Sequence, residues 1–168
     1  MKRLFFIFIL LVLIINAISS FSIPKSVSFN DGIKLAIKNK RPLLVFVSSD
    51  YCKWCNTMKS ETFSDKEVIK KIESNFIFVI LNIDNNFQNF EYMGSKYSLP
   101  DFMGFLGIRG TPTTVFFNQK GELLTVLPGF IKPDIYSKIL DYVKFSCYEK
   151  NISFKDFSEA PKKCINGN

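Results

Sequence analysis

Five consecutive apolar residues, Leu43 to Val47, lead through Ser48-Ser49-Asp50-Tyr51 into Cys52-Lys53-Trp54-Cys55. A short run of branched and aromatic residues, bounded by Pro42 and by serines, reads as a strand buried on both faces. Ser and Asp then supply the side chains that start a helix. The stretch therefore predicts a buried strand that delivers two cysteines to the first turn of a helix. A chain that must bury such a strand needs partners on both of its edges and layers on both of its faces.

The rest of the 168 residues supplies them. Ser28-Phe29-Asn30-Asp31 opens an amphipathic helix over 30–39, and Pro42 ends it. Residues 53–62 and 65–74 read as helical, the second with Ser64 as N-cap and Glu67 completing a capping box. Phe76 to Ile83 is a second buried strand. Weak helical patterns follow around 88–97 and 101–106. Thr113–Phe117 and Glu122–Leu127 are strands joined by the turn Asn118-Gln119-Lys120-Gly121, and a last helix runs from Pro133 to Cys147. Strands separated by helical crossovers and followed by a hairpin imply an α/β fold, a mixed central sheet with helices on both faces. The length suits one core, over 20–147, followed by a tail at 148–168.

Met1-Lys2-Arg3, the apolar run Leu4–Ile15 and the small residues Ala17-Ile18-Ser19 have the layout of a signal peptide over 1–19. The run is shorter than the roughly 20 residues of a spanning helix, which makes an uncleaved membrane anchor the weaker alternative. The expected location is periplasmic or secreted. Removing Lys2 and Arg3 leaves 20 Lys+Arg against 15 Asp+Glu, interspersed along the chain and without a basic run, so no nucleic-acid role is expected. The chain has no histidine, which excludes histidine general bases, Cys-His nucleophiles and histidine-ligated zinc. No cofactor is called for.

Chemistry then falls to cysteine. At a helix start, free amides and Lys53 favour a thiolate at Cys52, the attacking thiol; Cys55, a turn further in, is placed to resolve a mixed disulfide. The bland alternatives are weaker. A disulfide closing three residues stabilises little, and a zinc site would need Cys147 and Cys164, which lack the paired spacing, so no metal is expected.

Ser48-Ser49-Asp50-Tyr51-Cys52-Lys53-Trp54-Cys55 with Met58, and Arg109-Gly110-Thr111-Pro112-Thr113 running into Val115-Phe116-Phe117 and Gly121, resemble the thioredoxin-like superfamily over about residues 28–145. The similarity is greatest to exported bacterial members associated with sulfur oxidation and cytochrome c maturation. The resemblance implies the thioredoxin fold, Cys52 as nucleophile, Cys55 as resolving thiol, Pro112 as a cis-proline facing them, and Thr111 as a contact to sulfurs or substrate. Lys53 and Trp54 would join the substrate surface. Two positions depart from the pattern: Phe46 stands where thioredoxins carry a buried acid, and Ile80 where a lysine accompanies it. Asp50, Glu61 or a water would then have to accept the Cys55 proton.

In an exported chain Cys147 and Cys164 are expected to form a structural disulfide fastening the tail; the alternative is a second redox pair. Phe87, Phe90, Tyr92, Tyr97, Phe102 and Phe105 are read either as core or as a substrate groove. The expected function is reduction of protein disulfides by an exported, monomeric thiol:disulfide oxidoreductase recharged by a membrane thiol donor. An oxidase or isomerase of the same fold, and a non-catalytic peptide-binding module, are the rival readings.

Overall fold

The computed structural model describes residues 23–84 and 88–166, so the expected signal segment and Phe87 lie outside the described residues. Its centre is β1 (Leu43–Ser48), whose six residues are all buried. β2 (Ile77–Asn82) pairs parallel to it, from Leu43↔Ile77 to Ser48↔Asn82. On the other edge β5 (Thr113–Phe117) pairs antiparallel, with Phe46 opposite Thr114. β6 (Leu123–Pro128) completes a mixed sheet in the order β2-β1-β5-β6.

Helices cover both faces. α1 (Phe29–Asn39) lies on one, its start fixed by Ser28, which accepts from the Asp31 amide. Its Phe29 meets Phe90, Phe102 and Phe117 edge-on, with ring centroids 4.7–5.8 Å apart. On the other face α2 (Lys53–Glu61), α3 (Lys66–Asn75) and α5 (Pro133–Lys144) bury Met58, Val68, Ile72, Tyr136 and Leu140 against Leu44, Phe46 and Phe78. Beyond α5 come a 3-10 turn (Cys147–Lys150), α6 (Phe154–Glu159) and α7 (Lys162–Ile165).

Several sequence expectations are corrected. The stretch 88–97 is a hairpin of β3 (Phe90–Tyr92) and β4 (Ser95–Tyr97), turned at Met93-Gly94, both with positive φ. The helix expected at 101–106 begins earlier, as α4 (Leu99–Phe105), capped by Ser98. The cap of α3 is Asp65, whose carboxylate accepts from the amides of Glu67 and Val68, while Ser64 donates back to the Ser60 carbonyl. α5 ends at Lys144 rather than Cys147, because Ser146 turns left-handed at φ 48°.

α3 and α5 are joined by a polar clasp. Lys71 donates to Glu67 at 2.8 Å, to Asp141 at 2.7 Å and to the Ser137 hydroxyl at 2.6 Å. Burial works against the Lys71 charge, but the Asp141 and Glu67 bonds outweigh it and hold its pKa above the ordinary value; Lys71 in turn lowers that of Glu67. Deeper in this layer, burial raises the pKa of the Tyr136 phenol far above its usual range, and the nearby Thr114 hydroxyl opposes the shift. Neither hydroxyl forms a well-directed hydrogen bond. An unsatisfied buried hydroxyl costs about 1–3 kcal/mol. Tyr136→Phe is therefore expected to leave stability unchanged or raise it by about 1 kcal/mol in a urea titration, where a buried tyrosine with a satisfied hydroxyl would lose that much.

Candidate active site

β1 ends at Ser48, and after a link of four residues Lys53 begins α2. Cys52 is the N-cap, extended at φ −86° and ψ 107°, and its Sγ accepts from the Cys55 amide at 3.0 Å. The two cysteines form a disulfide with Cα atoms 5.2 Å apart. Their exposures differ: Cys55 is fully buried beside Met58 and Phe46, while Cys52 stays in reach of solvent. Around Cys52 the surface carries Tyr51, Lys53 and Trp54, with Tyr51 92% and Trp54 56% exposed.

Trp54 leans on Phe130, ring centroids 5.8 Å apart. Phe130 follows Gly129, whose amide donates to the Pro112 carbonyl at 2.8 Å. The Thr111–Pro112 bond is cis, and Thr113 Oγ1 donates back to the Gly110 carbonyl at 2.7 Å. Residues 107–113 with Val126, Pro128 and Gly129 line an open hollow of about 380 Å³. One chain of contacts thus links Trp54 through Phe130 and Gly129 to Pro112. The Thr62 hydroxyl, donating to the Ile131 carbonyl at 2.6 Å, ties the end of α2 to the same segment. The sequence gives no sign of this role for Phe130, since its place after Pro128-Gly129 marks only a turn.

Asp50 and Glu61, the residues considered as proton acceptors, are both exposed. Asp50 accepts from Asn82 at 3.0 Å, and exposed Glu61 ends α2, six residues or about 9 Å of helix beyond Cys55. Phe46 packs edge-on against Phe63 at 4.7 Å, and Ile80 is half-buried on the same face. Of the aromatic stretch, Phe90, Tyr92 and Phe102 are core, whereas Phe105 is 49% exposed. Among the described residues no group of three or more metal-ligating side chains converges. A larger apolar hollow of about 490 Å³, between β6, α5 and the tail, is lined by no cysteine and no charged residue.

Cys147 and Cys164 form the second disulfide, Cα atoms 5.7 Å apart and both residues fully buried around Phe157. Their cluster is separate from the one that holds Cys55.

The sequence matches the family model of the thioredoxin-like domain over residues 29–144, and the chain belongs to that family. Its fold is similar to that of a thioredoxin-fold protein from Helicobacter pylori, at 19% identity and TM-score 0.60, covering 87% of this chain and 89% of that one. A thioredoxin from Thermus thermophilus matches at 22% identity and TM-score 0.58, over 73% and 88%. A DsbH oxidoreductase matches at 16% and 0.55, over 73% and 86%. No curated protein matches the sequence. A thioredoxin-like domain carrying a paired Cys52–Cys55 disulfide is a thiol:disulfide oxidoreductase.

Burial and the helix-start amide both single out Cys52. In the reduced protein, iodoacetamide at slightly acidic pH is expected to modify Cys52 well before Cys55, read by peptide mass; equal labelling would refute the assignment.

Proposed function

We propose that the chain reduces disulfides of exported proteins, with Cys52 as nucleophile and Cys55 as resolving thiol. The observation that carries this reading is the asymmetry of the pair: Cys52 is reachable and its sulfur lies 3.0 Å from a helix-start amide, while Cys55 is sealed beneath it. The Cys52 thiolate attacks one sulfur of a substrate disulfide. That S–S bond breaks, the other substrate sulfur leaves and takes a proton, and a mixed disulfide remains. Cys55, losing its proton, then attacks Cys52 Sγ, releasing the second substrate thiol and forming Cys52–Cys55. Two electrons have passed to the substrate, and a membrane-held dithiol donor returns them.

Substrate lies in extended form across Thr111-Pro112. Pro112 has no amide to commit to the sheet, and the hollow beside it leaves room for a strand. The Trp54–Phe130 pair supplies an apolar contact next to Cys52, and Lys53 a positive one. The monomer acts alone, in the periplasm or outside the cell. Cys147–Cys164 is structural in this reading, since neither sulfur is reachable by an attacking thiolate.

Two measurements test it. Cys55→Ser, expressed in the native compartment, is expected to accumulate mixed disulfides through Cys52, whereas Cys52→Ser accumulates few; an absence of covalent partners while the wild type reduces insulin would refute the cysteine roles. Replacing Cys147 and Cys164 together by Ser is expected to cost about 3 kcal/mol of stability with insulin reduction near normal. Lost turnover with stability intact would instead assign that pair to an electron relay.

A further inference from the structure

We propose that Asp84 is a positioning residue for thiol exchange: its carboxylate holds the four residues ahead of α2 so that Cys52 Sγ stays over the helix-start amide. The inference rests on the exchange reading above and adds a residue to it.

Between Ser48 and Lys53 the chain belongs to no strand or helix, yet every residue of this link is fixed. Ser49, only 8% exposed, donates from its hydroxyl to both carboxylate oxygens of Asp84 at 3.1 Å. The Asp50 amide donates to Asp84 Oδ2 at 2.7 Å. The same Ser49 hydroxyl accepts from the Tyr51 amide at 3.2 Å, and the Ser49 carbonyl accepts from the Cys52 amide at 3.3 Å. Asn82 steadies the arrangement from below. Its Nδ2 donates to Asp50 Oδ2 at 3.0 Å, and its Oδ1 accepts from the Asp84 amide at 3.0 Å. Ser49 and Asp50 thus hang directly from Asp84 in the turn after β2, Tyr51 through the Ser49 hydroxyl and Cys52 through the Ser49 carbonyl.

Charge by itself gives no reason for a carboxylate here. The charged groups on the elements meeting at the link are Asp50 in the link itself, Lys53, Lys59 and Glu61 on α2, and Asp84 in the turn after β2. A carboxylate near Cys52 opposes formation of a thiolate. What Asp84 contributes is geometry, through two charge-assisted bonds that a neutral side chain would form more weakly. Its positional and electrostatic effects on Cys52 therefore carry opposite signs, and substitution separates them.

The experiment measures the pH profile of Cys52 alkylation, resolved by peptide mass, in reduced wild type, Asp84→Ala and Ser49→Ala, alongside their melting curves and insulin reduction. Ser49→Ala alters no charge and removes the hydroxyl shared by Asp84 and Tyr51. If the clasp positions Cys52, the midpoint rises in both variants, by about one pH unit in Asp84→Ala, so the rate below both midpoints falls about tenfold. A fall in the Asp84→Ala midpoint would show that only its charge is felt and would overturn the proposal. So would midpoints unchanged in both variants, whatever happens to the melting curves, because a brace of the fold alone would not move them. Failure of the wild type to reduce insulin would count against the exchange reading, while the alkylation profiles would still decide the role of Asp84.

Discussion

β1 is buried along its whole length, and most of the architecture answers that constraint. A buried strand leaves none of its amides and carbonyls to water, so both edges must be paired. β2 and β5 do this, one parallel and one antiparallel, over nearly the same residues. The parallel partner requires a crossover, and α2 with α3 is that crossover. The site follows from the same requirement: the chain leaving β1 must turn at the sheet's end to enter the crossover helix, and Cys52 stands at that turn. Alternate β1 side chains then divide the core, Leu43, Val45 and Val47 facing the α1 side, Leu44 and Phe46 the side of α2, α3 and α5.

What was legible in the sequence is what local chemistry decides. Leu43–Val47 has too few residues for a helix and no polar face, so it reads as a buried strand; Pro133 opens α5 because its missing amide is not needed there. The hairpin at 90–97 is hard to tell from a weak helix because three-residue strands give almost no period, and its signal is the Met93-Gly94 turn, where a methionine adopts φ 50°. Ser64 and Asp65 both have capping side chains, and which one caps depends on where α2 stops: Ser64 is occupied by the carbonyls of Ser60 and Glu61. The early end of α5 depends on Ser146 adopting a left-handed conformation that no serine announces. Of the site, the cysteine pair could be read from its spacing and the Thr111-Pro112 loop only through the family resemblance, while Phe130 and Asp84 are placed by contacts across the fold and leave no mark in spacing.

Residues beyond the family match form a small structure of their own. Phe157 is enclosed by Cys147–Cys164 and by Tyr142, Phe145 and Phe154. The cluster is small, and the disulfide that closes it joins residues 17 apart in sequence. Tyr142 makes the join, since it belongs to α5, donates to the Ile152 carbonyl at 2.8 Å and meets both Phe154 and Phe157 edge-on. Lys150 closes the far end through the Cys164 carbonyl at 2.9 Å.

The layer beneath Cys55 explains how the fold tolerates Phe46 and Ile80 in place of an acid and a lysine. A buried ion pair must recover a desolvation cost of several kcal/mol per charge, and apolar residues of similar volume often give an equally stable core. Here Phe46, Phe63 and Tyr136 interlock edge-on, with centroids 4.7 and 5.3 Å apart across the two contacts. The exchange is not neutral for chemistry. Among the described residues no carboxylate is fully buried, and the polar groups that are, such as Thr114 and Ser137, are hydroxyls that do not take up a proton near neutral pH. The apolar layer therefore encloses Cys55 in a tightly packed core and, among the described residues, sets no buried carboxylate within it.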